Sequence, residues 1–186
     1  MNRIHRFRTG ILAAILPLAT LNLDVAAQAP RELKTGSPPQ SAATKQHSAL
    51  LEVRGEVPHT LSWTAAEFAK LPRQTVHAKG HDGVESEYQG VPLIEILAKA
   101  GVPTGKELRG KAMALFVVVE ASDGYRAVFA LAELDREFTD RVILLADRRD
   151  DKPLPAQAGP LQVIVSGEKK HARWVRQVVR IKVGRA

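Results

Sequence analysis

The chain reads as an α+β domain in which strands predominate, and three observations carry that reading. Short apolar runs rich in β-branched residues recur along it, over residues 50–57, 112–120, 125–131, 142–146, 161–166 and 175–183. Helical signals are confined to two or three short stretches. Strand and helix patterns do not alternate, so no doubly wound parallel sheet is expected. At 186 residues and 45% hydrophobic, the chain suits one ordinary domain with a real core.

In chain order, residues 50–57 alternate and contain Gly55, which predicts a strand running into a turn. Residues 59–62 predict a second, shorter strand. A helix then begins near Trp63, with Thr64 as N-cap and Glu67 three residues on in a capping box; Pro72 stops it. Residues 74–79 and 85–89 are strand-like around the turn Gly80-His81-Asp82-Gly83. Pro92 suits the first turn of a helix over 93–100, whose apolar residues Leu93, Ile96, Leu97 and Ala100 fall on one face before Gly101. Residues 112–120 predict the most buried strand. The turn Ser122-Asp123-Gly124 leads to a returning strand, and a short helix follows around 132–136. Residues 147–152 predict a charged loop, and strands over 161–166 and 175–183 close the domain.

The first 27 residues carry Arg3, Arg6 and Arg8, then an apolar run over 11–23, then small residues. This is the pattern of a secretory signal, with cleavage after Ala27, and the run is too short to span a bilayer. An uncleaved anchor is the competing reading. A periplasmic or secreted location is therefore expected, with no stable membrane insertion once the signal is removed. Residues 28–48 read as a flexible leader, and residues 49–186 as the folded domain. Removing the signal takes away three arginines and one acid, which lowers the net charge from +7 to +5.

The chain has no cysteine. Disulfides, thiolate metal centres and a cysteine nucleophile are thereby excluded. No Gly-rich phosphate loop and no nucleophile elbow occur. The positive charges are not interleaved with aromatic residues, so nucleic acid is not an expected partner.

Several residues stand out, each with two readings. His77 and His81 lie four apart beside Asp82, which offers a loop metal site or a solvated turn. Tyr125 follows Asp123-Gly124 and is either a site residue or a half-buried strand tyrosine. The run Glu168-Lys169-Lys170-His171-Ala172-Arg173 is either a solvated charged face or an anion site. Trp63 and Trp174 read as packing residues.

Three patterns occur in one order: Tyr88-Gln89-Gly90-Val91-Pro92-Leu93 through Ala100-Gly101-Val102; Ala121-Ser122-Asp123-Gly124-Tyr125-Arg126 with the later Ile143-Leu144-Leu145-Ala146; and Gly159-Pro160-Leu161-Gln162-Val163-Ile164-Val165 with Arg173-Trp174-Val175. Together, over about residues 50–183, they resemble the molybdopterin-binding oxidoreductase domain of sulfite oxidases and of bacterial methionine-sulfoxide reductase catalytic subunits. The resemblance implies an α+β fold of several short mixed sheets around a cofactor cleft. It implies a catalytic role beside the metal for Tyr125. It implies a cofactor-binding set of His77, Lys79, Asp123, Lys169, Lys170, His171 and Arg173, with the 169–173 segment cradling the pterin phosphate. Family members that hold molybdenum place a metal-ligating cysteine within the segment corresponding to Thr75-Val76-His77-Ala78-Lys79-Gly80. This chain has Ala78 or Lys79 there, and Gln162 where the family tends to carry arginine.

Three functions follow as expectations. One is an exported domain of this fold that binds a small anionic ligand or a periplasmic protein partner without metal redox chemistry. The second is a molybdopterin-dependent oxidoreductase acting on a small oxyanion or sulfoxide, with no protein thiolate on the metal. The third is a periplasmic metal-binding protein using His77, His81 and Asp82.

Overall fold

The computed structural model describes residues 49–186. The signal and leader readings lie outside the described residues. Ten strands and two α-helices follow in order: β1 Leu51–Gly55, β2 Leu61–Trp63, α1 Ala65–Phe68, β3 Gln74–Lys79, β4 Glu85–Pro92, α2 Leu93–Lys99, β5 Leu115–Ala121, β6 Arg126–Ala130, β7 Ile143–Arg149, β8 Lys152–Pro153, β9 Gln162–Val165 and β10 Val178–Arg185. Four short 3-10 turns connect them. Among the described residues no helix is long and apolar enough to cross a membrane.

The strands form two sheets. The first has the order β2-β1-β10-β5-β6, with β1 and β10 parallel and the other pairs antiparallel. The second runs β3-β4-β7, and β7 pairs on its far side with β9 along its first half and β8 at its end. Strand β5 alternates strictly between buried and half-buried positions, as a strand with one core face must. Strand β9 is buried at all four positions, which requires covering on both faces. The inner side chains of both sheets and the Leu93, Ile96 and Leu97 face of α2 form one hydrophobic cluster.

Local chemistry explains the shorter elements. The Thr64 side chain accepts a hydrogen bond from the Glu67 amide at 3.3 Å, while the Glu67 carboxylate accepts from the Thr64 amide at 2.8 Å. This capping box starts α1 where the sequence predicts. Three expectations change. Pro92 ends β4 and caps α2 from outside it. The stretch 112–120 begins in a 3-10 turn, Gly110–Ala114, and becomes strand only at Leu115. The charged loop at 147–152 is a tight hairpin: β7 continues to Arg149, and Asp150 and Asp151 turn the chain with φ of 51° and 60°. Two consecutive positive φ values match the twist of paired strands, and aspartate tolerates them. Pairing with β4 holds this turn, because Asp150 exchanges hydrogen bonds with the Glu87 backbone at 2.8 and 2.9 Å.

Gly90 shows how closely the second sheet packs. A Cβ there would lie 2.1 Å from the Leu145 carbonyl oxygen and 2.5 Å from the Ala146 Cα. Both neighbours are backbone and cannot step aside. Gly90→Ala is therefore expected to cost about 3 kcal/mol, read as a lowered urea midpoint.

Candidate functional site

Two adjoining cavities lie where the ends of both sheets meet. The first, of about 550 Å³, is lined by the 121–125 turn, Gln157, and the segment from His171 to Gln177. The second, of about 570 Å³, lies between the β3 end, from His77 to Gly80, and the facing loop Gly167-Glu168-Lys169. Both volumes fall within the range of small-ligand sites. His81, His171 and Trp174 line both cavities and form the wall between them.

That wall is an aromatic chain. The His81 and His171 rings lie 4.5 Å apart, His171 and Trp174 4.4 Å, and Trp174 and Tyr88 5.7 Å, all edge to face. Edge-to-face contact sets the positive edge of one ring against the negative face of the next. Trp174 is fixed further by its indole N–H, which donates to the Val165 carbonyl at 3.1 Å.

Hydrogen bonds build the first cavity as a closed frame. Asp123 accepts from the Tyr125 amide at 2.9 Å, which shapes the turn, and the Tyr125 hydroxyl donates to the Ala172 carbonyl at 2.6 Å. Gln177 joins three segments. Its amide donates to the Ala158 carbonyl at 2.8 Å, and its side-chain N–H to the Ala156 carbonyl at 3.0 Å. Its carbonyl and side-chain oxygens accept from the Ser122 amide and hydroxyl at 3.0 and 3.1 Å. Gln177 holds φ at 50°, a conformation that costs a non-glycine residue about 1 kcal/mol and persists only under such constraint.

The arginines near the site divide by role. Arg149 donates to an Asp82 carboxylate oxygen at 2.8 Å and to the Ser86 hydroxyl at 2.8 Å, and lies 5.7 Å from the centre of the Tyr88 ring. Its hydrogen bond, with that of the Val84 amide, holds the Asp82 carboxyl below its ordinary range. Burial pushes the Tyr88 phenol above its own. Arg173 is held by Glu168 through two nitrogens and by both oxygens of Glu133 at 3.0 Å, and covers the Phe129 ring at 4.7 Å. Two carboxylates thus neutralise Arg173, and it lines neither cavity. Among the described residues, Lys79, Lys169 and Arg176 have no ion-pair or hydrogen-bond partner, and all three side chains line a cavity.

Of the residues singled out in the sequence, Tyr125 and Asp123 border the first cavity, and His77 and Lys79 with Lys169 border the second; His81 and His171 border both. Lys170 is exposed and borders neither. The proposed metal group does not assemble: among the described residues no three His, Cys, Asp or Glu side chains are placed to hold an ion. The Asp82 carboxylate is instead paired with Arg149 at 2.8 Å. Sequence reasoning missed Arg176 and Gln177, named Glu168 only as part of the charged run, and read Trp174 as packing alone. Arg176 stands two residues after Trp174, a spacing that shares a face in extended chain. The strain at Gln177 leaves no mark in residue type.

Comparisons with known proteins bear on this arrangement. The sequence model described as "Oxidoreductase molybdopterin binding domain" matches residues 36–186. Among solved structures, the sulfane dehydrogenase SoxCD from Paracoccus pantotrophus superposes with a TM-score of 0.55 at 21% identity, over 72% of this chain and 37% of that one. This chain thus spans little more than a third of that protein. No curated protein matches.

The residues present fit one part of a molybdopterin. Lys79 and Lys169 are free cations for a phosphate, and Trp174 and His171 offer ring surfaces. Glu168 holds a buried carboxylate oxygen, Oε2, with no donor. They do not fit the metal through a protein thiolate. The chain has no cysteine, and Ala78 on the cavity wall presents a methyl group.

The Asp82–Arg149 pair sets a pH dependence. A carboxyl whose folded pKa is depressed stabilises the fold above its unfolded value, about 3.9, and loses that contribution as pH falls through the folded value. Asp82→Asn is expected to lower stability at pH 7 and to flatten its fall below about pH 4, measured by urea unfolding across pH 2–7.

Proposed function

Because the chain belongs to the oxidoreductase molybdopterin-binding domain family, we propose that it is a ligand-binding form of that domain. It holds a small anionic organic ligand in the second cavity and does no metal redox chemistry through a protein thiolate. One observation carries this reading: the cavity has aromatic walls with Lys79 and Lys169 beside Glu85 and Glu168, while the chain has no cysteine to offer a metal.

The roles follow from the side chains. Lys79 and Lys169 bind the anionic group from opposite sides of the cavity. Their charge is available because neither has an ion-pair partner among the described residues. The edge of Trp174 and the ring of His171 orient a flat ligand and exclude water from one side of it. If the ligand is molybdopterin, these residues hold its phosphate and ring, and its dithiolene supplies the sulfur for a metal. Tyr125 then faces the neighbouring cavity with its hydroxyl proton committed to the Ala172 carbonyl. The basic, apolar and small-residue pattern of residues 1–27 supports action outside the cytoplasm.

Native protein analysed for molybdenum by mass spectrometry, and for pterin by fluorescence after acid release, is expected to contain less than stoichiometric molybdenum. Near one molybdenum per chain would overturn the non-redox reading. Lys169→Gln is expected to weaken binding of pterin-6-carboxylate about tenfold, the worth of one charged hydrogen bond, by titration calorimetry. N-terminal sequencing of the exported protein is expected to begin at Gln28.

A further inference from the structure

The outer face of the first sheet holds a groove of about 470 Å³ that shares no lining residue with the two cavities of the cleft. The register of β10 against β5 builds it. Lys182 stands opposite Val118 and Gly184 opposite Phe116, while the alternate residues Val117, Ile181 and Val183 are buried toward the core. Gly184 sits on the floor. A Cβ there would come within 2.8 Å of the Phe116 Cζ, so a side chain would push that ring aside. The φ of Gly184 is not positive, so its backbone does not require glycine; a strand glycine of this kind marks a close approach. The volume suits a small ligand.

Charge on this face is uneven. Arg180 donates to Glu52 at 2.7 Å and to Glu120 at 3.4 Å, and Arg185 donates to Glu56 at 3.0 Å. Each of these acids therefore has an arginine. Lys182 and its β1 neighbour Arg54 make no ion pair or hydrogen bond among the described residues. Of the charged residues that line the groove, Glu56 and Arg185 are paired with each other, and Lys182 is uncompensated. Beside Lys182 the wall is apolar. It runs from Phe116 to Val118, and Val128, opposite Val118 on the edge strand, is 55% exposed.

We propose that this groove binds a single-chain aliphatic carboxylate, with its head on Lys182 and its chain along Val118 and Phe116 over Gly184. One ammonium beside an apolar wall matches one carboxylate on an alkyl chain. A dianion would find a single uncompensated cation in the groove. The site is independent of the ligand-binding reading of the cleft.

Octanoate tests it, with octanol as the same chain without the charge and acetate as the charge without the chain. Backbone amide shifts of the full chain, followed by heteronuclear NMR, report both affinity and place. Octanoate is expected to shift residues 116–118 and 182–185 saturably, and to bind about tenfold more tightly than either control. Lys182 is exposed and unbonded, so folding does not confound its replacement. Lys182→Gln is expected to bring octanoate down to the affinity of octanol, and to leave octanol unchanged. Gly184→Val fills the floor and is expected to weaken both. Lys169→Gln, in the cleft, is expected to change neither. The inference is overturned if octanoate shifts only cleft residues, if no shift saturates, if octanol binds equally well, or if Lys182→Gln leaves octanoate binding unaltered.

Discussion

The segment from Trp174 to Val178 is the constraint on which the rest of the structure depends. It carries the chain from the second sheet to the first. The Val175 carbonyl accepts from the Val163 amide at 2.8 Å, and the Val178 amide donates to the Leu161 carbonyl at 2.9 Å. Between these two ties the chain passes through the strained Gln177, whose four polar groups hold the 156–158 loop and the Ser122 turn. The same few residues therefore pair strand β9, launch β10, seat the wall tryptophan and close the first cavity. Losing this crossing would uncouple the sheets and the site together.

Charge is allocated in a way that sets the character of the cleft. Arg149 and Arg173 are both paired with carboxylates, which ties the turn at Asp82 and the loop at Glu168. Among the described residues that line the cavities, the cations without an ion-pair partner are Lys79, Lys169 and Arg176. A guanidinium fork fixed in a salt bridge positions backbone; a free ammonium is a movable point charge for an anion. Arg149 and Arg173 thus serve the scaffold, while Lys79, Lys169 and Arg176 keep their charge toward the cavities.

Much of this was legible in the sequence. Period-two runs located the strands, and the Thr64–Glu67 box located the first helix, because both signals are local. The hairpin at Asp150-Asp151 was not, because charged residues read as loop until β4 pairs beside them. The basic run 168–173 was legible as a unit, but not its division into a neutralised Arg173 and a free Lys169. That division depends on Glu133, which lies 40 residues away in sequence. The partner of Asp82 was not legible either: it is Arg149, 67 residues away.

The sequence by itself determined the class of fold and the absence of any thiolate, since composition and local periodicity are properties of the chain alone, and its three ordered motifs carried the resemblance to the family. Only the tertiary structure decided which cations are spent and which are free, that one wall of His81, His171 and Trp174 divides two cavities, and that Glu168 keeps an unused acceptor. Those facts rest on contacts between distant residues, and hydrogen-bond geometry over 3 Å cannot be read from spacing along the chain.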